Sequence, residues 1–258
     1  MHGQEPPDEV AGKMLGSDLV LGVTGFSMAH TRARMACSKR GVRYLSLPEY
    51  SLELLEHPAL RINFQKSAVG ARRIANAFSA GTRVQIESPI GTNISLEIAG
   101  RQGNFCPGYV DDKCLLGSPP DIEANVSPEE TKSNGIVVVD GSIPYPGFGK
   151  LSKPVTLTVK NGSISHIAGP SRYTDPLERL FEKHGEKSRV LGEFGIGFNE
   201  AAILCGNMLI DEGCRGTFHF GFGSNSTVGG QNAVNFHLDF IFFADWFYLD
   251  GKRITLDE

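Results

Sequence analysis

Glycine is concentrated in one region of this chain. Of its 31 glycines, ten lie in the 39 residues 192–230, about a quarter of that stretch, against 12% of the whole sequence. They alternate with apolar and polar residues, so they predict tight turns and close backbone contacts rather than a flexible tract. Glu193 and His219, whose side chains could bind a ligand, lie within this stretch, and His237 follows it. We therefore expect the glycines to leave room for a ligand site beside these residues.

The composition excludes several classes of protein. With 258 residues, 40% hydrophobic and 21% charged, the chain is typical of a globular protein and not of a disordered or collagen-like one. The net charge is −4 and no basic run reaches five residues, which predicts no nucleic-acid partner. The most apolar stretch, 236–249, has 14 residues and includes charged ones, so it is too short and too polar to span a membrane.

The cysteines and the N-terminus indicate a location. The five cysteines form no CxxC pair, and the N-terminal residues are polar and acidic, unlike those of a signal peptide. We therefore expect a cytoplasmic protein with reduced thiols.

Periodicity predicts an α+β fold in two parts. Residues 18–25 (DLVLGVTG) have the pattern of a buried strand, residues 30–40 that of a helix and residues 42–46 that of a second strand. This order is typical of a parallel βαβ unit, so we predict a small N-terminal α/β domain over residues 1–80. Residues 81–258 are expected to form a β-rich C-terminal domain.

Two local signals stand out in the β-rich part. Asn161 and Gly162 predict a tight hairpin turn between two strands. Residues 175–185 predict a helix with Asp175 as N-cap, Pro176 in the first position and Gly185 just past the end.

The strongest chemical signal is the sequence FHLDF at 236–240. In a strand, His237 and Asp239 point to the same face. Their neighbours are mostly Phe and Ile, and an unpaired carboxylate buried among such residues is costly. A divalent metal ion would satisfy both side chains, and a structural His–Asp hydrogen bond in a core would do so equally well.

Three further residues are candidates on weaker grounds. His219 lies in an apolar strand pattern flanked by small glycines, although a lone histidine in such a strand is more often structural. Glu193 lies in the apolar, glycine-rich pattern LGEFGIG, which is typical of a buried strand. Glu123 is weaker still, because many glutamates in loops are solvated. The sequence has no GxGxxG, Walker A, HExxH or GxSxG motif.

Five segments in a fixed order resemble a known family. The segments GIVVVDGSI, GEFGIGFN, DEGCRGTFHFGFG, the pair Gly229-Gly230 and FHLD resemble the thermophilic metallo-aminopeptidases of the aminopeptidase T type, including their 2,5-dihydroxypyridine 5,6-dioxygenase branch. The resemblance covers residues 80–258 well, and the N-terminal part only in its βαβ character. It implies that residues 81–258 form a metal-binding catalytic domain and that the protein is a homodimer.

The resemblance also implies a ligand set. In the aminopeptidases, two glutamates, two histidines and an aspartate hold two metal ions. By motif, these correspond to Glu123, Glu193, His219, His237 and Asp239. Such ligands suit Zn²⁺, Co²⁺ or Mn²⁺, with one or two ions per chain, or alternatively Fe²⁺.

The implied catalytic roles are less sharply defined. Glu123 or Glu193 is the expected general base of a metal-activated reaction. Asn225 and Asn232 are candidates for binding substrate, although a turn-forming role fits them equally well.

The chain departs from the aminopeptidase pattern at one catalytic position. Those enzymes carry a tyrosine a few residues after the histidine matched by His219, whereas this chain has FGFGSNST there. The segment GSNSTVGGQN is closer to the dioxygenase branch, in which a single iron is bound, and His219, His237 and Asp239 would supply a 2-His-1-carboxylate set for it. However, the chain keeps Glu193, so this match is also incomplete.

Three functions are therefore considered. We expect a metal-dependent hydrolase acting on an amide or peptide-like small substrate. The alternative is a mononuclear non-heme Fe(II) ring-cleaving dioxygenase, in which Phe218, Phe220 and Phe236 would either stack on an aromatic substrate or form core. A non-catalytic binding module is the third, and the retention of all five ligand types argues against it.

Overall fold

The computed structural model describes residues 4–29 and 31–256, so His30, at the start of the predicted helix, lies outside the described residues. The helices are α1 (Asp8–Leu15), α2 (Arg32–Lys39), α3 (Leu52–Glu56), α4 (Phe64–Ala80), α5 (Ser171–His184) and α6 (Met208–Asp211). The first strands are β1 (Leu19–Thr24), β2 (Arg43–Pro48), β3 (Arg83–Glu87), β4 (Asn93–Glu97), β5 (Gly103–Cys106), β6 (Leu116–Gly117), β7 (Glu123–Val126), β8 (Asn134–Val139) and β9 (Ser142–Ile143). The remaining strands are β10 (Gly149–Lys150), β11 (Val155–Lys160), β12 (Ser163–Ala168), β13 (Leu191–Gly197), β14 (Thr217–Gly223), β15 (His237–Phe243), β16 (Trp246–Leu249) and β17 (Lys252–Arg253).

The N-terminal part contains the predicted βαβ unit. Strand β1 pairs in parallel with β2, and helix α2 connects them. The prediction that β1 is buried is wrong for one of its faces, because Leu19, Leu21 and Val23 are exposed. The described helices α1 and α2 pack against the other face only, where Met14 and Tyr44 belong to a small core.

Segments from both sides of residue 80 contribute to both parts of the fold. Strand β6, from the later part of the sequence, joins β2 in parallel in the N-terminal sheet. Conversely, Ala71, Ile74 and Phe78 of helix α4 lie in the core of the β-rich part. The division of the chain at residue 80 stays a prediction from the sequence.

The β-rich part consists of two antiparallel sheets of seven strands. One has the order β10-β9-β15-β14-β13-β7-β5 and the other β12-β11-β8-β4-β3-β16-β17. Their inner faces share one hydrophobic core, in which Phe194 and Phe218 of the first sheet contact Phe247 of the second. This arrangement confirms the α+β class. Among the described helices, none is long and apolar enough to cross a membrane.

The predicted hairpin and the predicted helix have different outcomes. Strands β11 and β12 form the hairpin, and Asn161 and Gly162 both have positive φ, as a two-residue hairpin turn requires. Helix α5, however, begins at Ser171, so Asp175 is not its N-cap. Tyr173, Leu177 and Phe181, four residues apart, are buried along one face. Packing of this face outweighs the cost of a proline inside the helix.

A second core joins the N-terminal part to the first sheet. It contains Leu54 and Ala59 from the segment around α3, together with Leu204, Ile210 and Ile241. Ile241 lies in β15 two residues after Asp239, so this core lies beside the predicted ligands. The N-terminal part therefore supports one end of the predicted site.

Candidate metal centre

Strand alternation separates the core from the site. In β14, Phe218, Phe220 and Phe222 are fully or almost fully buried in the shared core, so His219 and Gly221 point to the opposite face of the sheet. The core role of Phe218 and Phe220 rules out the aromatic wall considered for them.

Phe236 has partners of its own. Its ring packs against Phe181 and His184. It therefore belongs to a hydrophobic cluster near α5.

The register places the five predicted ligands on one face of four adjacent strands. Glu193 in β13 lies opposite Gly221 in β14, which in turn lies opposite Asp239 in β15. His219 lies opposite Gly195, and Glu123 of β7 lies opposite Gly197. His237 lies opposite Gly223 at the end of the same pair of strands. Each predicted ligand therefore has a glycine directly across from it.

These glycines make room for the imidazoles. A Cβ added to Gly195 would lie 2.1 Å from Nε2 of His219, and one added to Gly221 would lie 2.5 Å from Nε2 of His237. Each imidazole thus lies over the glycine of the neighbouring strand. Gly195 and Gly221 therefore lie beneath the two imidazoles, and we call this pair the glycine floor.

Each imidazole reaches a glutamate two strands away. Nε2 of His219 lies 3.1 Å from Oε2 of Glu123, and Nε2 of His237 lies 3.4 Å from Oε2 of Glu193. Nε2 of His237 also lies 3.1 Å from Oδ1 of Asp239. A pair of one histidine and one glutamate, separated by one intervening strand, therefore occurs twice, side by side on the sheet.

Hydrogen bonds orient two of these ligands. Nδ1 of His237 lies 2.9 Å from the carbonyl oxygen of Ser224, which can only accept, so Nδ1 carries the proton in the neutral ring and Nε2 faces the carboxylates. The Nδ2 group of Asn125 donates to Oε1 of Glu123 at 2.7 Å. Both contacts are typical of the outer shell that holds metal ligands in place.

Two further carboxylates lie in this cluster. Asp121, Glu123 and Glu212 each have one oxygen within 4.8 Å of the others. Sequence reasoning did not identify Asp121 or Glu212 as site residues. A signal for Asp121 was its position two residues before Glu123, and Glu212 was visible only as part of the family motif. Its neighbour Asp211 has a different role, because it accepts hydrogen bonds from Ser142 and from loop backbone.

Burial and mutual repulsion perturb the acidic groups. Burial, together with the nearby Glu123, raises the pKa of Glu193 from 4.5 to about 7. Burial opposes the charged form of His237, but Asp239 and Glu193 outweigh it and raise its pKa to about 10. Burial, with Asp121 and Glu123 beside it, raises the pKa of Cys106, so this residue stays a neutral thiol.

The cluster fits a divalent metal ion. Glu123, Glu193 and His219 each have a ligand atom within 4.8 Å of the others, and all three are buried. Nδ1 of His219 is also buried without a hydrogen-bond partner among the described residues. Five carboxylates and two imidazoles with no thiolate ligand are a donor set for Fe²⁺, Zn²⁺, Co²⁺ or Mn²⁺. His237 and Asp239 are not in this close group. His237 lies next to it, because its Nε2 atom is close to both Glu193 and Asp239.

The two candidate substrate-binding residues are used within a loop. Asn225 is fully buried, and its Nδ2 group donates to Ser127 and Glu130 while its Oδ1 accepts from the backbone of Asn232. The Nδ2 group of Asn232 donates to the carbonyl oxygens of Lys187 and Gly223. These contacts support the turn-forming interpretation, and direct contact with substrate stays a prediction.

Comparison with known proteins supports the resemblance seen in the sequence. The profile of the NicX family, described as 2,5-dihydroxypyridine 5,6-dioxygenase, matches residues 5–257. The solved 2,5-dihydroxypyridine dioxygenase from Pseudomonas putida KT2440 is 20% identical and superposes with a TM-score of 0.78 over 96% of this chain and 72% of that one. Wild-type AmpT from Thermus thermophilus is 13% identical, with a TM-score of 0.69 over 97% of this chain and 78% of that one.

At these identities the two solved structures establish the fold alone. A search of curated proteins finds no match. The family profile, by contrast, spans nearly the whole sequence and includes every residue of the metal centre. The chain therefore belongs to the NicX family.

Proposed function

We propose that the protein is a mononuclear non-heme Fe(II) dioxygenase that cleaves the ring of a small hydroxylated aromatic compound, with 2,5-dihydroxypyridine as the first candidate. The observation that carries this proposal is the family match over residues 5–257, which includes the imidazole and carboxylate cluster. This match favours oxygenation over the hydrolysis that we expected first from the sequence.

His219, His237 and Asp239 are the proposed iron ligands, a 2-His-1-carboxylate set. When bound, Fe²⁺ supplies the redox chemistry that allows dioxygen to react with a closed-shell aromatic ring. Gly195 and Gly221 let the two imidazoles lie close against the sheet, and we propose that the ion and a flat substrate bind beside these rings. The side chain of His237 is 33% exposed, whereas those of His219 and Asp239 are buried, so we propose that substrate enters beside His237.

Glu193 is the proposed proton carrier. The pKa of Glu193 is about 7 in the metal-free protein, and a bound Fe²⁺ would lower it, so the side chain would be ionised in the loaded enzyme and able to accept a proton. It lies 3.4 Å from His237, beside the proposed substrate entrance. A proton taken from a ring hydroxyl of the substrate would be held on Glu193. Glu123 is oriented by Asn125 and is proposed as a supporting carboxylate rather than the base.

Oxygen consumption tests this proposal. The chelated protein would be loaded anaerobically with Fe²⁺ and mixed with 2,5-dihydroxypyridine in air-saturated buffer, with an oxygen electrode and the absorbance of the substrate as readouts. We expect one O₂ consumed per ring cleaved, and loss of this activity in His237→Ala. Absence of oxygen uptake by protein that holds one iron per chain, with this substrate and with other dihydroxylated aromatics, would refute it.

Amide hydrolysis is the second candidate. It is favoured by the close group of Glu123, Glu193 and His219, which contains both glutamates of the aminopeptidase-like ligand set. The Zn²⁺-, Co²⁺- or Mn²⁺-loaded protein would be assayed with amino-acid p-nitroanilides. Metal-dependent release of p-nitroaniline, without oxygen uptake by the Fe²⁺ form, would establish this function instead. The cytoplasmic location and the homodimer also stay proposals, from composition and family resemblance.

A further inference from the structure

A second group of ligand atoms adjoins the imidazole-containing one. One oxygen each of Asp121, Glu123 and Glu212 lies within 4.8 Å of the others. Glu123 also belongs to the group with Glu193 and His219, so the two groups share one carboxylate. The second group consists of oxygen donors only.

The backbone brings these carboxylates together. A Cβ added to Gly213 would lie 2.7 Å from Cα of Asp121, so only glycine allows the two segments this close. Asn199 holds them in place, because its backbone N–H donates to the carbonyl of Gly213 and its side chain donates to the carbonyl of Pro120, each at 2.7 Å. Glu212 precedes Gly213 and is thereby fixed beside Asp121.

Among the described residues, one buried oxygen each of Asp121, Glu123 and Glu212 has no hydrogen bond, although Oε2 of Glu123 lies 3.1 Å from Nε2 of His219. Asp121 is only 4% exposed, and among the described residues its Oδ1 has no partner. The same is true of the buried Oε1 of Glu212. Unpaired carboxylate oxygens of like charge, held together away from water, are costly. Either protons or a positive ion would satisfy them.

We propose that Asp121, Glu123 and Glu212 form a subsite for a second, hard divalent cation of the Mn²⁺, Mg²⁺ or Ca²⁺ class. Asp121 and Glu212 are not among the five ligands implied by the aminopeptidase resemblance. Oxygen-only ligands suit hard cations, whereas the neighbouring imidazoles suit Fe²⁺ or Zn²⁺, so the two positions differ in preference. With all five carboxylates ionised and both imidazoles neutral, as metal binding requires, two divalent ions would offset four of the five negative charges.

Sequential metal loading tests this subsite independently of the proposed reaction. The chelated protein would first receive one equivalent of Zn²⁺, which favours imidazole ligands, and then be titrated with Mn²⁺ while free Mn²⁺ is measured by electron paramagnetic resonance. We expect one Mn²⁺ per chain in addition to Zn²⁺. In Asp121→Asn and Glu212→Gln, Mn²⁺ should bind at least about tenfold more weakly, while one Zn²⁺ per chain is retained. Asp112→Asn, an exposed acid, is the matched control and should bind both ions normally.

Several results would overturn the subsite. If the wild-type protein with one Zn²⁺ binds no Mn²⁺, the carboxylates hold protons rather than a cation. Unchanged Mn²⁺ binding in both variants would place the ion elsewhere, and loss of Zn²⁺ together with Mn²⁺ would show that no separate subsite exists. The wild-type titration decides the question even if a variant does not fold, and failure of the oxygenase assay has no bearing on it.

Discussion

Replacement of Gly195 by alanine is the most direct test of the glycine floor. The added methyl group would lie 2.1 Å from Nε2 of His219, whereas ordinary contact begins at about 3.4 Å, so the ring must move by roughly 1.3 Å or the strands must separate. Metal–ligand distances tolerate only about 0.2 Å of change. We therefore expect the affinity for metal to fall by about 10- to 100-fold or more, with a loss of about 1–3 kcal/mol in the free energy of unfolding from overpacking.

The assay compares metal content and stability in the same preparations. Fe²⁺ and Zn²⁺ bound per chain would be measured by elemental analysis after dialysis, and the free energy of unfolding by urea titration of the metal-free protein. Gly12→Ala is the control, because its added Cβ meets nothing within 4 Å and alanine favours the helix in which it lies. Wild-type metal affinity in a folded Gly195→Ala protein would refute the claim that this glycine makes room for His219.

Three further predictions concern the ligands, a titrating group and a loop. The substitutions His237→Ala and Asp239→Ala should each abolish or greatly weaken metal binding. Unchanged metal content in both variants would exclude these residues as ligands. The pKa of Glu193 is about 7 in the metal-free folded state and 4.5 in the unfolded state, so the folded state binds more protons between pH 4.5 and 7. The free energy of unfolding therefore falls as pH rises through this range, by up to about 3 kcal/mol. Glu193→Gln should reduce that decline in urea titrations at pH 5 and 7.5, because Asp121, Glu212 and His237, whose pKa values are also raised, keep their own contributions. An unchanged slope would contradict the shift. Asn225→Ala should cost about 2–3 kcal/mol of stability through lost buried hydrogen bonds, with little change in KM, whereas a large rise in KM at unchanged stability would indicate substrate contact.

The sequence determined which residue types lie on the same face of a strand. The two-residue alternation of FHLDF and of GTFHFGFG was enough to place His237 with Asp239, and His219 with glycine, away from the phenylalanine core. The family motifs added Glu123, which its loop-like surroundings would not have indicated. The α+β class and the βαβ unit also follow from local periodicity.

Only the tertiary structure decided how the strands align with one another. Register between strands depends on turns and on packing at distant residues, so no local pattern shows that His219 lies over Gly195 or that Glu193 faces Gly221. For the same reason the sequence did not show that Asp121 and Glu212 lie together. They meet because Gly213, which follows Glu212, packs closely against the backbone of Asp121, about 90 residues earlier in the chain.

The same limit explains the corrections. A short apolar run predicts a buried strand, but it cannot show whether other elements cover both of its faces, and the described helices leave Leu21 and Val23 of β1 exposed. A helix start signal at Asp175 was overridden by burial of Tyr173, which is a tertiary effect. The local sequence pattern thus determines which side chains share a face of each strand, whereas long-range packing determines which of these side chains come into contact.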